Sequence, residues 1–256
     1  INFVLFFFVN INNSQKLVFI LEIKLGINLQ NIQFRFYEIY RSEEFLLLLL
    51  NGMFASLWLT IGAAIFGFLF ANLLAASRIY KILFISKLST AFVEFTRNTP
   101  LIVQLFFIAF GLPLLLDYQW PFWAHALLAL SLNFSAYFAE ILRAGFEDVG
   151  KGQIEAAKSL GLSQSLIFIK IVFPQALCKV YPALNSQLIF LFLTTGIISE
   201  IGVKELTQAG IYIDSRTFRS FEVFFTLTIL YILMSLMLKT VLKVMYKRIF
   251  FWAEFR

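Results

Sequence analysis

Cysteine and histidine are almost absent: Cys178 and His125 are the only residues of their types in 256. Thiolates and imidazoles therefore cannot assemble a metal site in this chain, and no disulfide can close within it. Charge is scarce too. Charged residues make up 14% of the chain against 60% hydrophobic, with a mean hydropathy of +0.83, and a soluble domain of this length has too little interior to hide that much apolar surface. Strict alternation of apolar and polar residues is missing, which removes a transmembrane β-barrel. Aspartate and glutamate do not converge within the apolar runs, so a membrane enzyme working through carboxylates has no centre to build on. His125 falls in the outer third of its run and reads as a packed or hydrogen-bonded helix residue rather than a base. No stretch resembles a nucleic-acid-binding motif. These exclusions leave an all-α polytopic membrane protein.

What the chain does have is length without charge. Uncharged runs extend over 45–77, 98–116, 118–139, 180–199 and 223–238, most of them near the roughly 20 residues a helix needs to cross hydrocarbon. About five transmembrane helices follow. Lysine and arginine near span ends stay on the cytoplasmic side. Arg78, Lys81 and Lys87 follow the first run, Arg143, Lys151, Lys158, Lys170 and Lys179 fill the interval between the third and fourth, and Lys239, Lys243, Lys247 and Arg248 follow the fifth. These three regions are expected in the cytoplasm and the amino terminus outside. The net charge of +6 then reports topology and contact with anionic membrane lipid, not nucleic acid.

Residues 1–44 read as a poorly defined N-terminal tail. Ile1 to Val9 is apolar but short, and neither a basic start nor a small-residue cleavage site marks a signal peptide. Residues 45–250 form the membrane domain and 251–256 a cytoplasmic C-terminal tail.

The most informative interval is polar and lies between the third and fourth runs, at about 150–175. It contains Gly152-Gln153-Ile154-Glu155-Ala156-Ala157-Lys158-Ser159-Leu160-Gly161. Ala156, Ala157 and Leu160 are good helix formers with a shared apolar side. Gly161 suits a helix stop that needs a positive φ, and Ser163 can cap a second helix. Two small methyl faces beside a carboxylate make a short knob that fits a groove closely.

With Ile171 and Pro174 beyond it, this interval resembles the EAA loop of ABC-transporter permeases. The likeness extends further. Glu94-Phe95-Thr96-Arg97-Asn98-Thr99-Pro100-Leu101-Ile102-Val103-Gln104-Leu105-Phe106-Phe107 with Gly111-Leu112-Pro113 is similar to the second-helix signature of polar amino acid ABC permeases, and 133–143, 201–207 and 215–219 are similar to later blocks in that family. About 46–250 is covered in order, a match to the histidine, glutamine and arginine uptake group. The resemblance implies a type I ABC importer transmembrane domain that pairs with a second permease copy or a paralogue. It also implies a separate ATPase subunit docked on Glu155, Ala156, Ala157, Leu160 and Gly161, and an extracytoplasmic amino-acid-binding protein. The implied location is the bacterial cytoplasmic (inner) membrane.

Nucleotide is not expected on this chain. Gly145 to Lys151 copies the first seven positions of a P-loop, but Gly152 replaces the Ser or Thr that would hold magnesium and a membrane helix, not a strand, precedes it. No cofactor is expected, ATP being used by the separate subunit. For the translocation pathway, polar residues inside a span are the candidates because unpaired polarity in hydrocarbon is costly. Asn185, Gln187 and Thr194 interrupt the fourth run, and Gln187 and Thr194, seven apart, share a helix face. Many relatives in the resembled family carry Glu at the position of Gln187 and Lys-Asp at 193–194. The neutral groups here suit a glutamine-like solute better than a cation. Interhelical hydrogen bonding, worth about 0.6 kcal/mol each, accounts for the same residues equally well.

The remaining features read as structure. Ala63, Gly67, Ala71 and Ala75 recur every fourth residue and form a smooth ridge for helix approach. Trp58, Trp120, Trp123 and Trp252 are interface anchors. Glu140 pairs with Arg143 and Arg97 with Glu94, one turn apart in each case, and Glu200 stays solvated at an outer span end. A self-sufficient channel or secondary carrier is the alternative to an importer permease. A carrier would show ion ligands or a broken helix pair at mid-membrane, and only the fourth run has comparable polarity.

Overall fold

The structure is a computed structural model that describes residues 34–251. The first long helix shows why these residues form the elements they do. Ser42 caps it, its hydroxyl accepting from the Phe45 amide at 3.3 Å, and Glu43 and Glu44 occupy the first turn, where the helix dipole favours negative charge. The elements in order are α1 (Tyr37–Tyr40), α2 (Glu43–Ile79), α3 (Leu83–Arg97), α4 (Leu101–Leu116), α5 (Phe122–Glu147), α6 (Lys151–Ser159), α7 (Gln164–Ile201), α8 (Leu206–Thr217) and α9 (Ser220–Ile249). Widened π turns at Phe107–Gly111 in α4 and Phe168–Val172 in α7 each end two residues before a proline, Pro113 and Pro174. A missing amide there disturbs the regular ladder.

Helices α2, α5, α7 and α9 are each long and apolar enough to cross a membrane. The second crossing differs from the expected continuous span over 98–116. Here α3 and α4 form one pair bent by 109° at Asn98–Pro100. Pro100 disfavours helix at the residue before it, so charge counting found the run and missed its hinge. The helix expected after Ser163 is the start of α7, which begins at Gln164, continues through Ile171 and Pro174, and so joins the 164–175 part of the polar interval to the next span. The tail expected over 1–44 is described only from residue 34. Residues 34–44 pack on the start of α9, with Tyr40 Oη and Thr226 Oγ1 2.8 Å apart and the Arg35 amide donating to Glu222 at 3.0 Å. The rest of the expected tail, residues 1–33, and Trp252 lie outside the described residues.

The core is the α2–α5 contact. Trp58 meets Trp123, Gly62 lies against Leu127, Gly67 against Ser131 and Phe68 against Phe138, so the two helices run parallel. The small-residue ridge is confirmed: Ala63, Ala71 and Ala75 are fully buried, and a Cβ on Gly67 would come within 3.0 Å of the Ser131 carbonyl oxygen. Helix α7 runs antiparallel to α5, with Ala176 and Val180 at Gly145 and Phe190 at Phe134. Helix α9 in turn opposes α7, with Tyr231 at Phe192 and Tyr246 at Tyr181. Parallel α2, α5 and α9 bring Arg78, Arg143 and the lysines after 238 to one end of the bundle, together with α6. Gly145, first residue of the P-loop-like stretch, lies inside α5, and no strand precedes it among the described residues.

Candidate functional site

Two features stand out at that basic end: an exposed helical turn and a cavity above it. The turn is α6 and its stop. Gly161 has φ +74°. Its amide donates to the Lys158 carbonyl at 2.9 Å and the Leu162 amide to Ala157 at 3.2 Å, the paired bonds of a left-handed helix stop. Ser163 then caps α7, accepting from the Leu166 amide at 3.4 Å. Glu155, Ala156, Leu160 and Gly161 are exposed, Leu160 by 80%. Ala157 is not. At 4% exposure it packs into the chain's own core, because successive residues on a helix turn by about 100° and Ala157 cannot face outward with Ala156. Of the five residues expected to dock, four are thus exposed and Ala157 is buried.

The cavity, of about 710 Å³, lies between the α3–α4 bend, the middle of α5 and the last third of α7. Its wall includes Arg97, Asn98 and Thr99 from the bend, Asn133 and Tyr137 from α5, and Thr194 from α7. Gln104 holds the bend in place. Its side-chain amide donates to Thr96 O at 2.8 Å and Thr99 Oγ1 at 2.6 Å, and its oxygen accepts from Asn133 at 2.9 Å. Thr194 reaches the cavity as expected, although its hydroxyl donates to Phe190 O at 2.6 Å. Gln187 and Asn185 do not line it. Gln187 sits two turns closer to the basic end, and Asn185 lies on another face, its side-chain oxygen buried without a partner. Sharing a helix face was insufficient, because the cavity is only as deep as the bend that closes it.

Below the cavity lies an ion-pair hub. Glu140 is bonded to Arg78 from the end of α2, to Arg143 at 3.2 Å one turn along α5, and to Arg97 at 3.8 Å. The Glu140–Arg143 pair was expected. Arg97 was expected to pair with Glu94 and instead turns to Glu140, lying over the Tyr137 ring at 5.6 Å. Sequence reasoning missed the contribution of Arg78, 62 residues away; the only available signal was a charged residue at the end of each of three apolar segments.

At the opposite end, Glu205 is fully buried. It caps α8 by accepting from the Gln208 amide at 2.8 Å, and its other oxygen accepts from Ser56 at 3.2 Å and Tyr231 at 3.0 Å. Burial pushes this carboxyl above its usual range, against the pull of those donors. Glu200 is exposed. His125 is buried in a shell of Tyr118, Trp120 and Phe122, which bears out its reading as a packed residue.

Residues 63–251 match the family described as binding-protein-dependent transport system inner membrane component. The chain belongs to this family. Its relatives include the L-cystine transport system permease protein TcyL of Bacillus subtilis (strain 168), 35% identical over 201 residues that cover 76% of this chain and 84% of the relative. The octopine transport system permease protein OccM of Rhizobium radiobacter is 33% identical, covering 73% and 80%. GlnP of Rickettsia felis, named for glutamine transport, is 29% identical, covering 79% and 93%. Among solved structures, an amino acid ABC transporter with histidines matches at a TM-score of 0.75 and 32% identity, covering 85% of this chain and all of the other. The methionine transporter MetNI in an inward-facing conformation shares the fold at a TM-score of 0.69 and 20% identity. This chain is therefore a multi-pass inner-membrane permease subunit and not an enzyme, and its family works with an ATPase.

Proposed function

We propose that this permease subunit imports a polar amino acid, moving it through the cavity beside the α3–α4 bend while a separate ATPase docks on Glu155, Ala156, Leu160 and Gly161. The observation that carries the reading is the presence, on one chain, of an exposed helical turn and a cavity whose wall includes Arg97, Asn98, Thr99, Asn133, Tyr137 and Thr194. The solutes in the relatives' names, cystine, octopine and glutamine, share the carboxylate of an amino acid. The basic end faces the cytoplasm, as the clustering of Arg78, Arg143 and the C-terminal lysines supports. A second permease copy or a paralogue and an extracytoplasmic binding protein complete the transporter. A neutral solute such as glutamine is preferred over arginine or lysine, because a buried cation needs a carboxylate to offset desolvation and the cavity wall offers a guanidinium instead.

Proteoliposomes holding the permease, its ATPase and its binding protein test this directly. ATP-dependent uptake of labelled glutamine that excess arginine fails to suppress is expected. Uptake that continues without ATPase returns the chain to the carrier class, and dominant arginine uptake removes the proposed selectivity.

A further inference from the structure

The cavity and the ion-pair hub share one residue, Arg97. We propose that Arg97, paired with Glu140, is a carboxylate-binding residue that is handed to the α-carboxylate of the solute when the solute enters the cavity; this rests on the permease reading above.

Four observations carry it. Arg97 is the charged residue in a cavity wall that is otherwise neutral, so a carboxylate entering the cavity meets that guanidinium and no acid in the wall itself, Glu140 lying behind it at 3.8 Å. Its hold on Glu140 is the loosest of the three, at 3.8 Å with 45% of the side chain exposed, whereas the Arg78 and Arg143 side chains are 15% and 30% exposed and both are closer to Glu140. Releasing Arg97 leaves Glu140 with two guanidinium partners, so no uncompensated charge is created in a half-buried position. The Tyr137 ring, 5.6 Å away, gives the guanidinium a face to rest on through the exchange. A planar fork of donors matches a carboxylate in two parallel bonds, which an ammonium on a lysine stem cannot do.

The handover also connects the cavity to the coupling turn. Glu140, Arg143 and Glu147 form one continuous ion-pair row down the last turns of α5, and α6 follows at once. Drawing Arg97 out of that row changes its charge balance where the chain enters the docking turn.

The test uses the permease–ATPase complex in nanodiscs without binding protein, probed with tritiated L-glutamine and with L-glutaminamide, which lacks the carboxylate. Wild type is expected to hold glutamine about ten-fold or more tighter than the amide, the scale of a charge-assisted bond. Arg97→Gln should lose that discrimination by weakening glutamine alone, and Arg97→Lys should keep part of it. Glu140→Gln, which removes the resting partner, should leave glutamine binding as tight or tighter. Equal weakening of both probes by Arg97→Gln, absence of discrimination in wild type, or weaker glutamine binding by a folded Glu140→Gln complex overturns the handover. Failure of the permease reading itself would show separately, as absence of ATP-dependent uptake of any ordinary amino acid by the complete transporter.

Discussion

At Gly161 the demands of folding and the proposed docking role can be told apart. Its positive φ ends α6, and nothing lies within 4 Å of where a Cβ would stand. Gly161→Val therefore meets no clash and costs about 1–2 kcal/mol of backbone strain, too little to unfold a membrane bundle but enough to reshape the exposed stop. Membrane insertion is expected to remain at wild-type level while ATP-driven uptake is lost. Wild-type uptake by a variant with its ATPase bound would remove the docking assignment. Glu205 gives the opposite case, a buried carboxyl with a structural task. Its folded pKa is raised, so the folded state binds the proton more tightly than the unfolded chain does. The stability this contributes is complete below the unfolded carboxyl pKa of about 4.3 and is lost as pH rises through the folded value. The thermal midpoint in detergent should fall as the pH is raised above that unfolded value, and Glu205→Gln should flatten that slope. Parallel slopes for the two proteins would mean that another group sets the dependence.

At the scale of elements, the N-terminal end of α2 is shaped to receive the start of α8. A Cβ at Gly52 would lie 2.8 Å from Leu206 Cα and 3.0 Å from the Glu205 carbonyl oxygen, backbone on both counts and unable to rotate away. Gly52→Ala is expected to cost about 1–3 kcal/mol by overpacking, read as a lower thermal midpoint. Gly150→Ala, where nothing lies within 4 Å, should leave the midpoint unchanged. An equal response from both variants would show that the approach of α8 is not tight. The small-residue ridge of α2 was legible beforehand because a four-residue period survives in any straight helix. The Gly52 contact was not, since its partner is 154 residues away.

For the whole molecule, the parallel course of α2, α5 and α9 brings the basic span ends and α6 together, and the proposed orientation has this end in the cytoplasm. Leu160→Cys in a Cys178→Ser background tests it. A membrane-impermeant maleimide should label this residue in inside-out vesicles and not in right-side-out ones, and added ATPase should protect it. Labelling from the outer face would invert the topology.

The sequence by itself determined the class of the protein, because hydropathy and the placement of lysine and arginine act residue by residue and need no partner. It also determined the stop at Gly161 and the cap at Ser163, which depend on neighbours within a few positions. Only the tertiary structure decided which of Ala156 and Ala157 faces out, that Thr194 and not Gln187 reaches the cavity, and that Arg97 leaves Glu94 for Glu140. Each of these depends on where another helix lies, and a bend at Pro100 or a bond across 62 residues leaves no local period to read. The cavity belongs wholly to that second kind: its three walls come from separate stretches of chain, brought together by packing.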